Sequence, residues 1–347
     1  MDFENKINKK WMQRAIDLAY LGRGLTSPNP LVGAVIVDKN GKLIAEGFHH
    51  KAGMPHAEAM AFKNLKEDAE GGSLYVNLEP CCHQGKTPPC VESIIKSGIK
   101  TVYVSIKDPD QRVAGKGINI LQEAGIKVNL GLCETESLNL NKSFIYRNLT
   151  GKAYGTLKWA MSIDGRIGLR NGDSKWISNS LSRSFVHSYR ASFDAIIVGG
   201  NTLRNDDPLL TTRGKKINEP VRVVFTRTLN LPKKCKLWDC KTAKTIVAYD
   251  SSSANEKNLS KIPECVEIKK LPSSDPSYLS QYLASQGCNS VLWECGPRLA
   301  TAALESNCVQ ELITFIAPKV LGGTESMNPL ADLKFEQMDD VIKLTNT

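Results

Sequence analysis

One histidine, one glutamate and two cysteines lie within thirty-five residues of this 347-residue chain and are the side chains best suited to chemistry. His56 and Glu58 are two positions apart, and Cys81 and Cys90 follow them. A catalytic zinc takes three protein ligands of this kind and keeps a fourth position open for water. The general acid/base must be a residue that does not bind the metal. The pattern therefore predicts a Zn²⁺ hydrolase, with Glu58 as the proton shuttle and His56, Cys81 and Cys90 as ligands.

The cysteine spacing departs from that of nucleobase deaminases, which combine His-x-Glu with Pro-Cys-x-x-Cys. The residue three positions after Cys81 is Gln84, so Cys90 is the candidate for the third ligand. A structural zinc knot formed by Cys81, Cys82, Cys90 and a histidine is the alternative. It would leave Glu58 without a role.

The elements around this motif are predicted from apolar periodicity and turn residues. Residues two apart do not share a face of a regular helix, so His56 and Glu58 are expected to converge at an irregular first turn. The predicted order is a helix ending near Gly22, strands at 31–37 and 42–47 joined by Asn40-Gly41, a helix from 56 to about 66, a strand at 73–78, a helix at 91–97, a strand at 101–106, a helix at 116–124 and a strand at 126–130. This alternation indicates a three-layer α/β sandwich.

A polar stretch at 131–153 is predicted to be a helical connector into a second α/β domain. The strands expected there are 156–160, 195–198, 221–225, 245–248, 290–293 and 312–316, and the stretch 250–263 is expected to be a surface loop. A chain of this length favours two domains.

The composition is that of an ordinary globular protein, with 41% hydrophobic and 23% charged residues. The net charge of +9 is spread along the chain without a block of like charges. That distribution argues against a nucleic-acid partner and suits a small anionic substrate. The longest apolar run, 31–37, is too short to span a bilayer, so no membrane partner is expected.

The N-terminus carries charges of both signs and has no cleavage site, so the sequence does not predict a signal peptide. The ten cysteines are therefore expected to be reduced, as metal ligands or buried apolar residues. A cytoplasmic location is expected, or an organelle stroma, and the sequence leaves a homo-oligomer open.

Two segments of the first half carry a family resemblance. Residues 78–90, Leu-Glu-Pro-Cys-Cys-His-Gln-Gly-Lys-Thr-Pro-Pro-Cys, resemble a signature of the bifunctional deaminase–reductases of riboflavin biosynthesis, and so does Thr-Ser-Pro-Asn-Pro-Leu-Val-Gly-Ala at 26–34. In the second half the resembling segments are 156–158, 162–166, 172–177, 199–202, 206–208, 317–319 and 322–323. The resemblance implies a cytidine-deaminase-like domain at 1–148 and a dihydrofolate-reductase-like domain at 149–347.

The same resemblance implies two consecutive reactions. The first domain would hydrolyse the exocyclic amine of a 2,5-diamino-6-ribosylamino-pyrimidinone 5′-phosphate, and the second would reduce the ribosyl group of the aminouracil product to ribityl with NADPH. The implied deaminase substrate contacts are Asn29, His49, His83 and Lys86. Asn29 can pair with a heterocycle edge, whereas His83 and Lys86 suit a phosphate or ribose.

For the second domain, the sequence alone indicates little. It contains no Gly-x-Gly-x-x-Gly, and Gly199-Gly200 and Glu294-Cys295-Gly296 are only weak phosphate-cradle signals. The resemblance implies NADPH contacts at Ala160, Trp176, Thr202, Asp206 and the segment 296–302 beginning with Gly296, and substrate contacts at Ser174, Arg190, Leu210, Arg213 and Glu294.

Some of these assignments have alternatives. Arg190 and Arg213 would serve as bidentate phosphate clamps, although either could be a surface arginine. Trp176 could equally be a core aromatic. Lys158 and Asp164 are additional candidates, and no residue is identified as the proton donor of the reductive step.

Two other functions are alternatives for this sequence. One is a nucleobase- or tRNA-editing deaminase with a non-catalytic second domain, in which the charge of +9 would bind nucleic acid. The distance between Cys81 and Cys90 and the even charge distribution argue against it. The other is a second domain that only assembles the deaminase, and joint retention of Arg190, Thr202, Asp206, Arg213 and Glu294 argues against that role.

Overall fold

A computed structural model describes residues 2–84, 88–110, 114–216, 218–331 and 333–345, and the chain divides into two compact units. The first comprises Met1–Tyr154 with Ala284–Asn289, and the second comprises Gly155–Leu283 with Ser290–Thr347. The boundary predicted between residues 148 and 149 lies close to this division, inside the last helix of the first unit.

The first unit contains a five-stranded sheet in the order β2-β1-β3-β4-β5. Its strands are β1 (Gly33–Val37), β2 (Leu43–Phe48), β3 (Ser73–Leu78), β4 (Thr101–Ile106) and β5 (Lys127–Leu130). β1 is antiparallel to β2 and β3, while β3, β4 and β5 are parallel. In the turn between β1 and β2, Asp38 Oδ1 accepts the backbone N–H groups of Asn40 and Lys42, and Gly41 has φ +81°. The predicted hairpin is confirmed.

Helices cover both faces of this sheet, as strand alternation requires. They are α1 (Asp2–Tyr20), α2 (Ala57–Lys63), α3 (Cys90–Lys96), α4 (Lys116–Glu123) and α5 (Glu134–Thr150). Along β1, Ala34 and Ile36 pack in one cluster with α2, α3 and α4, whereas Val35 and Val37 pack in another with α1. The predicted three-layer α/β/α arrangement is therefore confirmed.

The second unit contains a seven-stranded sheet in the order β10-β9-β8-β7-β11-β6-β12. Its strands are β6 (Tyr154–Ser162), β7 (Ala195–Gly199), β8 (Val221–Thr226), β9 (Thr245–Asp250), β10 (Glu267–Leu271), β11 (Ser290–Trp293) and β12 (Glu311–Ala317). Its helices are α6 (Ser180–Arg190), α7 (Gly200–Asp206), α8 (Pro276–Ser285) and α9 (Pro297–Glu305), with short 3₁₀ helices η1 (Lys236–Trp238) and η2 (Glu256–Lys261).

Two sequence-based expectations were wrong in this unit. β10 was not predicted, because it is an edge strand with the half-polar sequence Glu-Ile-Lys-Lys-Leu. The supposed loop at 250–263 contains η2, which Asn255 caps by accepting the backbone N–H of Lys257. In the described part of the chain, no helix is both long and apolar enough to cross a bilayer.

Candidate functional site

The three predicted metal ligands meet in the first unit. His56 Nδ1 lies 3.4 Å from Cys81 Sγ and 3.4 Å from Cys90 Sγ, and the three ligand atoms all lie within 4.8 Å of one another. Ligand atoms on a tetrahedral zinc are about 3.5–3.8 Å apart, given its usual bond lengths. The donor set and its spacing therefore fit zinc. Cys82 is not part of this group, which argues against the structural zinc knot.

Local structure explains why the ligands converge. His56 is the N-cap of α2 and has extended backbone angles, so its ring is not constrained to the helix surface. Cys81 lies in the segment after β3, and Cys90 is the first residue of α3. The backbone N–H of Cys90 donates to Cys81 Sγ at 3.4 Å, which joins the start of α3 to that segment.

Glu58, in the first turn of α2, is only 3% exposed and contacts the thiol of Cys90. Burial raises the pKa of Glu58 to about 7, and the negative charge of Cys81 adds to that effect. A bound cation would act in the opposite direction. A carboxyl group with a pKa near neutrality can both accept and return a proton at physiological pH.

The two thiols differ in their proton affinity. A hydrogen bond from Cys90 lowers the pKa of Cys81 to about 4, whereas the same bond and burial raise the pKa of Cys90 well above its ordinary value. One proton is therefore held between the two thiols. A divalent cation at the site would favour loss of that proton.

Two of the predicted substrate contacts lie beside this group. Asn29 Nδ2 lies 3.0 Å from His49 Nε2, and His49 Nδ1 lies 3.0 Å from the carbonyl oxygen of Pro55. The carbonyl can only accept, so Nδ1 carries the proton and Nε2 accepts from Asn29. Burial lowers the pKa of His49, which favours this neutral form. The rings of His49 and His56 are in edge contact, with centroids 5.7 Å apart.

The remaining two predicted contacts are less defined. His83 is exposed, two residues beyond Cys81. Lys86 lies outside the described residues.

Two asparagines that the sequence analysis missed fix the segment carrying Asn29. Asn141 Oδ1 accepts the backbone N–H of Leu31, and its Nδ2 donates to the Leu31 carbonyl. Asn77 Nδ2 donates to the same carbonyl, while its Oδ1 accepts the N–H of Gly33 at 2.8 Å. Both side chains are buried. A polar residue inside the otherwise apolar strand β3 was the available signal for Asn77.

Glu79 was a third residue that the sequence analysis missed. Its buried carboxylate accepts the backbone N–H groups of Asp108, Gly115 and Ile118 at 3.2, 2.8 and 3.2 Å. These bonds connect the segment leading to Cys81 with the start of α4. Glu79 therefore supports the position of a metal ligand without contacting the group itself.

In the second unit, a cavity of about 840 Å³ gathers most of the predicted reductase residues. Its lining includes Ala160, Ser174, Trp176, Arg190, Thr202, Asp206, Leu210, Arg213 and Glu294, together with Lys158. Six basic and two acidic side chains line it, which favours anionic ligands. Its volume falls within the range of cofactor sites, so the cavity fits a phosphorylated nucleotide such as NADPH.

Gly296 and Asp164 do not line this cavity. Gly296 is the N-cap of α9, where an added Cβ would lie 3.7 Å from Thr202 Oγ1. Asp164 instead accepts the backbone N–H groups of Leu321 and Gly322, which fixes that loop. A hydrogen bond from the Ser162 side chain, followed by these two backbone bonds, lowers the pKa of Asp164 to about 2.

Arg190 and Glu294 form an ion pair at the cavity wall. Arg190 Nε and Nη2 donate to Glu294 Oε1 and Oε2 at 2.6 and 3.1 Å, and Lys158 Nζ lies 3.4 Å from Oε2. Burial alone would raise the pKa of Glu294, but Arg190 and Lys158 outweigh it and hold the pKa at about 2. The guanidinium of Arg190 binds a carboxylate in this structure, and its contact with the substrate phosphate stays a prediction.

Arg213 and Trp176 remain available to a ligand. Arg213 is exposed at the cavity and has φ +53°, and neighbouring Leu210 has φ +55°. Such left-handed conformations are costly for non-glycine residues and concentrate at functional sites. Trp176 is 62% exposed, with the Arg183 guanidinium 4.4 Å from its ring centroid, so it is not a core aromatic.

His187 is the cavity residue that sequence reasoning overlooked. Its Nδ1 lies 3.3 Å from Arg190 Nη1. Burial lowers the pKa of His187, followed by the charges of Arg190 and Arg213, so the neutral ring is favoured. Its position nearly one helical turn before Arg190 was the signal that could have identified it.

Two family models match the chain. The "Cytidine and deoxycytidylate deaminase zinc-binding region" matches residues 5–106, and the "RibD C-terminal domain" matches residues 153–346. Together they support an α/β fold in both parts, the first of them cytidine-deaminase-like.

Curated relatives match over nearly the whole chain. "Riboflavin biosynthesis protein RibD" of Synechocystis sp. is 42% identical, covering 96% of this chain and 91% of that protein. The protein of the same name from Escherichia coli is 37% identical, covering 95% and 96%.

Solved structures agree with this similarity. RibD of Acinetobacter baumannii, form 1, has a TM-score of 0.87 at 37% identity, covering 98% of this chain and 94% of that one. The diaminohydroxyphosphoribosylaminopyrimidine deaminase/5-amino-6-(5-phosphoribosylamino)uracil reductase of Thermotoga maritima has a TM-score of 0.85 at 36% identity, covering 94% and 90%.

Proposed function

Because the chain belongs to the RibD family of bifunctional riboflavin-biosynthesis enzymes, we propose a residue-level assignment for each of its two activities. The enzyme deaminates a 2,5-diamino-6-ribosylamino-pyrimidinone 5′-phosphate and reduces the ribosyl group of the aminouracil product to ribityl. It uses zinc for the first reaction and NADPH for the second. The alternative, an editing deaminase with a non-catalytic second domain, is not retained, because the match to RibD relatives extends over both domains.

In the deaminase, His56, Cys81 and Cys90 hold the zinc. The ion supplies Lewis-acid activation of water in such a site. Glu58 accepts one proton of the attacking water and delivers it to the ring nitrogen. It then takes the remaining proton from the hydroxyl added to the ring and passes it to the departing amine. The observation that carries this assignment is the position of the buried Glu58 carboxyl beside three converging ligand atoms.

Asn29 orients the heterocycle. Its Nδ2 donates to His49, so its Oδ1 is directed by a fixed amide plane and accepts an N–H of the substrate. Asn77 and Asn141 hold the adjoining backbone at Leu31. Contacts of His83 and Lys86 with the ribose or phosphate remain predictions from the family resemblance.

In the reductase, Trp176, Thr202 and Asp206 contact the cofactor, with Ala160 and the N-terminus of α9 at Gly296. NADPH supplies the reducing equivalents. Glu294, oriented by Arg190 and Lys158, accepts hydrogen bonds from ribose hydroxyls, and the exposed Arg213 pairs with the substrate phosphate. Ser174 and Leu210 complete the substrate contacts.

The decisive experiment follows ammonia release and NADPH absorbance in the zinc-loaded enzyme given the diaminopyrimidinone substrate. We expect substrate-dependent NADPH consumption that requires zinc. Glu58→Gln should retain zinc but lose ammonia release by about 10³-fold or more, while still reducing added aminouracil ribosylamine phosphate. Near-normal ammonia release by Glu58→Gln would remove Glu58 from the mechanism.

Three further predictions concern the surroundings of the enzyme. A cytoplasmic location and the lack of nucleic-acid or membrane partners are expectations from the sequence, which leaves the formation of a homo-oligomer open. Sedimentation of the purified enzyme would decide the oligomeric state.

A further inference from the structure

Two cysteines of the second unit, Cys240 and Cys265, lie side by side although they are far apart in sequence. Cys240 precedes β9 and Cys265 precedes β10. These strands are parallel neighbours in which Ile246 pairs with Glu267. The segments that lead into parallel neighbours meet at the same edge of a sheet, with strand spacing of about 4.8 Å.

The carbonyl oxygen of Trp238 joins the two cysteines. It accepts the backbone N–H of Cys240 at 3.0 Å and the thiol of Cys265 at 3.6 Å. The two side chains also lie close enough to interact, since Cys265 contributes to the raised pKa of Cys240. Cys265 is exposed, whereas Cys240 is half-buried against the apolar cluster that contains Leu237. The thiol of Cys265 is therefore accessible to a reagent in solution, and the thiol of Cys240 lies next to it.

A buried cation lies in the same region. Arg222 is fully buried, and its Nη2 donates to the carbonyls of Leu237, Asp239 and Ala243 at 3.1, 2.7 and 2.8 Å. Within the described part of the chain, its Nε and Nη1 have no hydrogen-bond partner. Burial raises the pKa of Cys240 to about 11, the neighbouring Cys265 side chain adds to that effect, and the charge of Arg222 acts in the opposite direction. Arg222 thus favours the thiolate of Cys240 when a proton is lost.

We propose that Cys240 and Cys265 form a dithiol site that a low-molecular-weight disulfide oxidises to an intramolecular disulfide. The thiolate of exposed Cys265 attacks one sulfur of the small disulfide and displaces its first thiol. Cys240 then loses its proton and attacks Cys265 Sγ, which releases the second thiol. Two protein thiols are oxidised while one small disulfide is reduced to two thiols. This site is independent of the deaminase and reductase assignments.

The test incubates the full-length, zinc-loaded enzyme in defined mixtures of oxidised and reduced glutathione. Alkylation then traps free thiols before peptide mass spectrometry. We expect a cross-linked peptide pair containing Cys240 and Cys265, with loss of two hydrogens, that dithiothreitol reverses. Cys265→Ser should abolish the cross-link. Cys235→Ser should retain it, because Cys235 lies on the same loop without a bond to Cys265.

Thermal unfolding provides a second readout. The oxidised protein should unfold at a midpoint about 5 °C higher than the reduced protein, because the cross-link constrains the unfolded chain. Cys240→Ser should show no such difference. A glutathione adduct at Cys265 without a cross-link, or a cross-link from Cys265 to Cys235, would overturn the proposal. Zinc content, measured throughout, separates this reaction from oxidation of Cys81 and Cys90.

Discussion

Arg190 and Glu294, 104 positions apart in the chain, form a bidentate ion pair with N···O distances of 2.6 and 3.1 Å. Both side chains line the cavity of the second unit, and Lys158 adds a further donor to the same carboxylate. Both oxygens of the Glu294 carboxylate are thereby held by cations, and one of its roughly four acceptor sites, on Oε1, is left for a ligand. The pair determines how this carboxylate is presented to a ligand.

Replacing the guanidinium of Arg190 should lower the reductase activity and leave the deaminase activity nearly unchanged. Arg190→Lys leaves a single ammonium that cannot match both carboxylate oxygens. We expect the reductase kcat/KM to fall about 100-fold, because a small displacement of Glu294 misplaces the substrate. Ammonia release should change less than about two-fold. Arg170→Lys, which alters an exposed ion pair with Glu325, is the matched control and should leave both rates unchanged. Equal losses in both activities would indicate general misfolding.

The carboxylate of Glu294 should also make the free energy of unfolding depend on pH. The pKa of Glu294 is depressed from 4.5 to about 2, so its contribution is present above pH about 4.5 and is lost as the pH falls towards 2. The shift corresponds to about 3 kcal/mol of unfolding free energy. Urea unfolding of the second unit at pH 5 and pH 2.5 should show this loss. In Glu294→Gln the group no longer titrates, so an unchanged pH dependence in that variant would contradict the assignment.

Zinc binding should distinguish the neighbouring cysteines. Cys90→Ser removes one of the three ligand atoms and should lose most of its zinc, whereas Cys82→Ser should retain it. Elemental analysis of both purified variants measures this directly. The reverse result would move the third ligand to Cys82.

The buried amide of Asn77 should matter for both folding and substrate binding. Asn77→Ala leaves the N–H of Gly33 without its acceptor, which should cost about 2 kcal/mol of stability. The substitution also removes a hydrogen bond to the carbonyl of Leu31, which helps to hold the segment that carries Asn29. The deaminase KM should therefore rise more than kcat falls. Asn64→Ala, which removes an exposed bond to the carbonyl of Glu46, is the control and should cost under about 1 kcal/mol. A change in stability without any change in KM would limit Asn77 to a structural role.

Most of the elements could be predicted from the sequence, because their signals are local. Strands such as 73–78 and 101–106 have short, β-branched apolar runs bounded by turn residues, and both bounds match the structure. β10 could not be predicted, since an edge strand buries only part of its surface and keeps polar residues. The three-residue helix η1 also lacks a periodic signal.

The sequence by itself predicted the group of His56, Cys81 and Cys90 with Glu58 nearby, because metal-ligating residue types are rare and lie here within one short stretch of chain. Only the tertiary structure decided which partner each remaining polar group takes. Arg190 pairs with Glu294, and Asn141 holds Leu31 across 110 positions. Such pairs carry no local pattern, because a buried charge or amide is satisfied by whatever group the folded backbone brings within hydrogen-bond distance.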